Sequence, residues 1–413
     1  MKITILTQYY PPETGAPQNR LSDLALRLNK NGHEVTILTA MPNYPKNEIF
    51  DSYKGRVALS EKVNGIKVLR SWIFVASSRS VVARLLNYFS FVFTSLWYGL
   101  FKLPKQDFLM CESPPLFLGI SAWILTKAKR AKLIFNVSDL WPESAEKLGI
   151  VTNKTVLNLA EKLELWLYKK SFLITGQTQG IVENIRSRTF KKNIHWLPNG
   201  VSPEIFDLNF EPGRWRHSFG LEANDFILSY VGVIGHAQGL DVILKAAAQL
   251  KHKPNIKFVI AGDGPELFQL KQLAITQNLS AVLFTGAVDK NNALEIVFNS
   301  NAAIVPLRKI ELFKGAIPSK IFENLVLSKP LLLGVDGEAK DLFITQAKAG
   351  IYFEPENEQQ LANAILELEL NRELCKSAGE NGRQYVIKNF SRDAIATGFL
   401  DVLLKANNNG RSL

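Results

Sequence analysis

At 413 residues, with 46% hydrophobic and 21% charged side chains, the chain is too apolar for a disordered protein and too long for one ordinary core, so two or three domains are expected. The net charge of +11 is uneven: residues 1–200 hold 27 Lys+Arg against 14 Asp+Glu, and residues 201–413 hold 22 against 24. An excess confined to the first half points to an anionic surface or ligand there, and the lack of an arginine-rich tail or nucleic-acid motif argues against RNA and DNA.

Cys111 and Cys375 are far apart and outside any C-x-x-C pattern, which speaks against a disulfide framework or zinc site and for a reducing compartment. The opening run Lys2–Thr7 is too short for a signal peptide and reads as a first strand, with a cytoplasmic location expected. A Pro- and Gly-rich loop, Tyr9–Pro17, follows. Then Leu21, Leu24, Ala25 and Leu28 mark one face of a helix that Asn31-Gly32 stops. His33 is a turn residue, and Glu34–Thr39 is the next strand.

Leu85–Phe101 is uncharged, bounded by Arg84 and Lys102. It falls short of the roughly twenty apolar residues that span a bilayer, and Asn87, Ser90, Thr94 and Tyr98 form a polar stripe at helical spacing. A buried or an interfacial helix is expected, and the pattern does not separate the two. Leu116–Leu125 is apolar and runs into Lys127, Lys129, Arg130 and Lys132, either a crossover helix with a basic end or a lipid-facing surface.

Leu197–Pro203 has turn chemistry and marks the interdomain linker. The strand pattern restarts at Phe226–Val231, followed by Gly232-Val-Ile-Gly235-His236-Ala-Gln238-Gly239 and a helix over Leu240–Leu250. Strand Ile256–Ala261 ends in Gly262-Asp-Gly264-Pro-Glu266. Strands alternating with helices, each pair joined by a glycine loop, give an α/β protein with two parallel-sheet units. Such sheets bind ligands beyond the carboxyl ends of their strands, where Gly15, Gly235, Gly239, Gly262 and Gly264 fall. No loop is a P-loop or a dinucleotide fingerprint.

The stretch Phe313-Lys-Gly-Ala-Ile-Pro-Ser-Lys320-Ile-Phe-Glu323-Asn-Leu325 is the most informative. Pro318 and Ser319 suit a helix entry. Lys320 then stands in the first turn, where the helix dipole disfavours a cation unless an anion lies beside it. A diphosphate would supply that anion, and Glu323 one turn on has the chemistry to accept hydrogen bonds from a ribose diol.

These loops in this order, with Phe284-Thr-Gly-Ala-Val288, Pro42-Asn-Tyr-Pro45, Ser138-Asp-Leu-Trp-Pro-Glu-Ser144 and Pro198-Asn-Gly-Val201, resemble glycosyltransferase family 4 over nearly the whole chain. The branch they resemble is that of the WbuB-like transferases of bacterial surface polysaccharides, lipopolysaccharide O-antigen and capsule among them. The resemblance implies a GT-B fold: two Rossmann-like domains facing across a cleft, residues 1–198 and 199–389, with a last helix at about 390–406 crossing back to the first. It implies hexosyl transfer from a UDP-sugar, the donor held by the second domain. Donor contacts would come from Gly235, His236, Gln238, Gly239, Gly262, Gly264, Val288, Arg308, Ala316, Ile317, Pro318, Ser319, Lys320 and Glu323. Gly15, Asp139 and Lys320 would serve catalysis, and Glu13, Asn43 and Tyr44 would lie on the acceptor side.

The chain departs from the family pattern in three places. Val233 and Gln238 stand where relatives carry Arg and Lys, Gly315 stands for the first Glu of the Glu-x7-Glu pair, and Ser138 stands for the His of the His-Asp pair. Lys320, then Arg308, would take over the cationic work, and His236 is a substitute imidazole. No Asp-x-Asp occurs, so neither a metal nor another cofactor is expected. The expected reaction is retaining transfer of a sugar, an N-acetylated amino sugar from the branch, to a lipid-linked or saccharide acceptor. The first domain would then sit peripherally on the inner face of the cytoplasmic membrane. A non-hydrolysing UDP-sugar epimerase and a non-catalytic nucleotide-sugar-binding subunit share the same features and remain open.

Overall fold

The computed structural model describes residues 1–408 apart from 14, 45–46, 77–80, 148, 150, 191–192, 203–204, 206–207, 209 and 211–213. Thr14, Pro45 and Pro203, in motifs named above, therefore lie outside the described residues. The chain divides into two compact units, Met1–Asn199 with Arg392–Leu413, and Gly200–Ser391.

The first unit is built on eight strands: β1 (Lys2–Leu6), β2 (Glu34–Ala40), β3 (Ala58–Val63), β4 (Ile66–Ser71), β5 (Phe108–Ser113), β6 (Lys132–Val137), β7 (Leu173–Gly176) and β8 (Ile194–Trp196). Their order is β3-β4-β2-β1-β5-β6-β7-β8, parallel except where β3 turns back on β4. β1, β5 and β6 are buried nearly throughout, as continuous apolar runs in a doubly covered parallel sheet must be. The order reverses between β1 and β5, so the loops leaving these neighbours diverge and open a crevice at their carboxyl ends.

Helix α1 (Ala16–Lys30) buries Leu21, Leu24, Ala25 and Leu28 as its spacing requires. These side chains share one core cluster with Ala396, Phe399, Leu400 and Leu403 of the C-terminal helix Arg392–Asn408. Arg27 is paired with Asp23 at 2.8 Å and with Asp393 of that helix. At about 2 kcal/mol per buried large aliphatic or aromatic side chain, this packing is what fastens the chain's end to the first unit. The other face of the sheet carries α2 (Val81–Lys102) and α3 (Leu118–Lys129). Lys127 and Lys129 occupy the last turn of α3, where the helix dipole favours cations.

The second unit has six parallel strands: β9 (Phe226–Val231), β10 (Ile256–Ala261), β11 (Val282–Gly286), β12 (Ala302–Pro306), β13 (Leu331–Gly334) and β14 (Gly350–Tyr352). They are ordered β11-β10-β9-β12-β13-β14, with the reversal between β9 and β12. The glycine loop 232–239 leaves β9, and the segment running to Lys320 leaves β12. The topology thus delivers both sequence-singled segments to one switch point.

Candidate active site

In the second unit, Gly232 bends the chain straight out of β9 with φ +144°, a conformation open to glycine alone among common residues. A Cβ there would come within 2.9 Å of Lys320 Nζ. Lys320 opens the helix Lys320–Val326 and lays its ammonium 3.6 Å from the centroid of the Tyr230 ring. The residue keeps some exposed surface, but its ammonium sits in densely packed surroundings, and burial pushes it down to about 7 against the opposing pull of Glu323. Among the described residues no hydrogen-bond acceptor or ion-pair partner contacts this ammonium, and the Glu323 carboxylate likewise accepts no hydrogen bond.

The expected serine cap is absent. Ser319 is in the right-handed helical region and its side chain caps nothing. The turn is instead closed by backbone, Ile321 N–H to Pro318 O at 3.0 Å and Phe322 N–H to Ser319 O at 3.2 Å. The amide of Ala316 donates to Phe313 O, whereas those of Ile317, Ser319 and Lys320 find no partner among the described residues. Free amides beside a cation that has no anionic partner suit a multivalent anion. A helix of seven residues has only a slight dipole, so the lysine carries most of this effect.

Other residues expected to contact the donor already have partners within the protein. Arg308 is bound by Glu356 at 2.8 Å and Asp241 at 3.1 Å, with its Nε on His236 O at 3.3 Å. Its charge is therefore matched before any ligand arrives. His236 Nδ1 lies 2.9 Å from Glu266 Oε1, and Gly239 takes the left-handed turn, φ +57°, that ends this loop. Val288 turns its side chain into the cluster around Trp215 and Val259. Gly235 and Gln238 face each other, a Cβ on the first falling 2.9 Å from Gln238 Oε1.

Gly262 and Gly264 are explained by backbone packing. A Cβ on either would collide with the carbonyl oxygen of Gly232 or Ile234, in loops tied by Gly232 N–H to Ala261 O and Ile234 N–H to Asp263 O, both 2.9 Å. Gly262→Ala, at φ +146°, should cost about 3 kcal/mol and lower the melting temperature by roughly 6–12 °C. Gly286→Ala, at φ +74° with open space around it, should cost only about 1 kcal/mol. Thermal denaturation of the two variants checks this.

In the first unit, Gly15 caps α1 in extended backbone, φ 171°, and a side chain there would meet Gln18. Glu13 is buried and braces two loops: Oε1 accepts from Asn43 N–H (2.8 Å) and Tyr44 N–H (2.9 Å), and Oε2 from Tyr10 N–H (3.0 Å). Burial raises its carboxyl and these amides partly offset the rise. The Asn43 side chain bonds Met41 O at 2.9 Å, and the Tyr44 ring leans on Tyr9 at 5.7 Å. Asp139 follows β6. Burial raises its carboxyl, which accepts from Ser144 Oγ at 2.9 Å.

Sequence reasoning missed the network beside Asp139. Glu112, at the carboxyl end of β5 and 3% exposed, accepts from Arg20 Nη2, Ser138 Oγ and Asn136 Nδ2. Asn136 Oδ1 in turn accepts from Thr175 Oγ1 at 2.5 Å. A glutamate ending the apolar strand Phe-Leu-Met-Cys-Glu-Ser was the available signal, since a buried carboxylate requires a paired cation. Tyr230 and Gly232 were missed as well. Among the described residues no group of three or more His, Cys, Asp or Glu is placed to hold a metal.

Two family models match, a glycosyl transferase 4-like domain over residues 15–200 and glycosyl transferases group 1 over residues 213–385. The Escherichia coli K12 protein named as the colanic acid biosynthesis glycosyl transferase WcaI is 24% identical over 374 residues, 88% of this chain and 91% of that one. Sucrose-phosphate synthase of Thermosynechococcus elongatus superposes with a TM-score of 0.76 at 16% identity, covering 98% of each chain. Anabaena HepE, solved with UDP and glucose, gives 0.73 at 16% identity over 98% of this chain and 100% of that one. At such identities these structures establish the fold alone. The chain belongs to the glycosyltransferases, pairing a glycosyl transferase 4-like domain with a group 1 domain on a GT-B fold of two parallel-sheet units.

Proposed function

We propose that this glycosyltransferase takes a UDP-linked donor in its second unit and moves the sugar, an N-acetylated amino sugar, with retention and without a metal. The acceptor is a lipid-linked or saccharide intermediate of surface polysaccharide assembly, O-antigen or capsule, as in the WbuB-like branch. The first unit receives it while resting on the anionic inner face of the cytoplasmic membrane. The observation that carries the donor reading is Lys320: an ammonium at a sheet switch point that rests on the Tyr230 ring with no hydrogen-bond acceptor or ion-pair partner among the described residues, flanked by the free amides of Ile317 and Ser319. The leaving diphosphate gains negative charge as the glycosidic bond breaks, and a preorganised cation stabilises that state more than the ground state. HepE, solved with UDP and glucose, and WcaI, named for colanic acid biosynthesis, support the donor and the pathway class. The +13 excess of residues 1–200 supports the membrane.

A thermal-shift panel of UDP-, GDP- and dTDP-sugars tests the donor. A nucleotide at a hundred times its Kd stabilises by about 2.7 kcal/mol, and only the UDP series should raise the melting temperature. A shift by another nucleotide series instead, or by none, removes this reading.

A further inference from the structure

The polar stripe of α2 does not face water. Asn87 donates to Phe74 O at 2.7 Å and accepts from Gln8, Ser90 Oγ accepts from Phe74 N–H at 2.8 Å, and Thr94 Oγ1 donates to Trp72 O at 2.5 Å. The helix spends its polar groups on the segment that follows β4 and packs Phe91, Val92 and Ser95 inside. What remains outward is apolar: Val82 is 66% exposed, Leu86 50%, Phe93 71%, Trp97 69% and Phe101 68%. At 1.5 Å per residue these side chains form a ridge about 28 Å long on one side of the helix.

Cations frame this ridge and carboxylates are absent from it. Neither α2 nor α3 contains an Asp or Glu. Lys129 Nζ donates to Leu100 O at 2.6 Å, which sets the basic end of α3 beside the end of α2, and Arg84, Lys102, Lys105, Lys127 and Arg130 are exposed. An aromatic and aliphatic ridge on a helix whose own charges, and those of α3 packed beside it, are all positive matches the boundary between acyl chains and anionic headgroups. Among the described residues no helix is long and apolar enough to cross a membrane, so the fitting geometry is a helix lying in the plane of the interface.

We propose that the exposed ridge of α2 is the element that enters the lipid interface, with the flanking lysines and arginines on anionic headgroups. This rests on the membrane-surface reading above and adds the residues that do the seating. The test is co-sedimentation of the whole protein with vesicles of phosphatidylglycerol and phosphatidylethanolamine. It compares wild type, Phe93→Ser with Trp97→Ser, and Lys127→Glu with Arg130→Glu, with melting temperature and mass in solution measured alongside. Both altered pairs are on the surface, so folding should be unchanged. The ridge variant should bind at least about tenfold more weakly at every salt concentration. The charge variant should weaken binding mainly at low salt. Wild-type vesicle binding retained by the ridge variant overturns the ridge and leaves the membrane reading standing. No vesicle binding by the wild type overturns both. A mass that falls from dimer to monomer in the ridge variant assigns the face to a second copy and also overturns the proposal.

Discussion

Lys320→Ala lowers kcat/KM by about 100- to 1,000-fold with the preferred donor, the loss typical of removing one group that stabilises developing charge. The expectation is specific about cause because the group is already shifted. Burial holds Lys320 at about 7 in the free protein, and an adjacent diphosphate would raise it by favouring the charged form. Donor binding at pH 8 should therefore take up a proton, and affinity should fall as pH rises above about 7. The free protein should behave in the opposite sense. Between about 7 and the ordinary lysine range the unfolded chain binds more protons at this position, so stability from this group rises with pH. Calorimetric titration of UDP in buffers of different ionisation enthalpy reads the proton directly. Lys320→Met should abolish the uptake, and equal uptake by both proteins would remove Lys320 from the donor site.

The alternation of apolar strands with helical periods made the two parallel sheets legible, since buried parallel strands read as largely apolar runs such as Phe226–Val231 and Ile256–Ala261. Lys320 was legible because a cation opening a helix is a local conflict that needs an outside explanation. The strand order was not legible, and it is the strand order that brings the Gly232 loop to Lys320. Gly262 and Gly264 were read as phosphate-approach glycines, and the sequence does not show their second constraint, that the carbonyls of Gly232 and Ile234 occupy the space a Cβ would need. The bracing role of Glu13 was hidden in the same way: its three amide donors come from residues 10, 43 and 44, two of them some thirty positions away. The polar stripe of α2 was found correctly, but its direction depended on where residues 72–74 run.

Glu112→Ala should destabilise the first unit by about 3–5 kcal/mol, the cost of leaving a buried charge without its partner. Arg20 and Glu112 have side chains only 9% and 4% exposed, and Arg20 Nε already lacks a hydrogen-bond partner, so the guanidinium would be left with the neutral Ser138 Oγ, 2.7 Å from Nη2, in place of a carboxylate. The same carboxylate holds Ser138 and Asn136, which fixes the end of β6 that leads into Asp139. Stability and function can be separated with a paired replacement. Arg20→Met combined with Glu112→Leu removes both charges, keeps the volume, and should recover most of the lost stability in urea denaturation. Transfer activity should stay low in that double variant, because Ser138 loses its acceptor and the Asp139 loop is free to shift. Recovery of activity together with stability would make the network structural alone. A Glu112→Ala protein as stable as wild type would mean that the Arg20 charge is met by water.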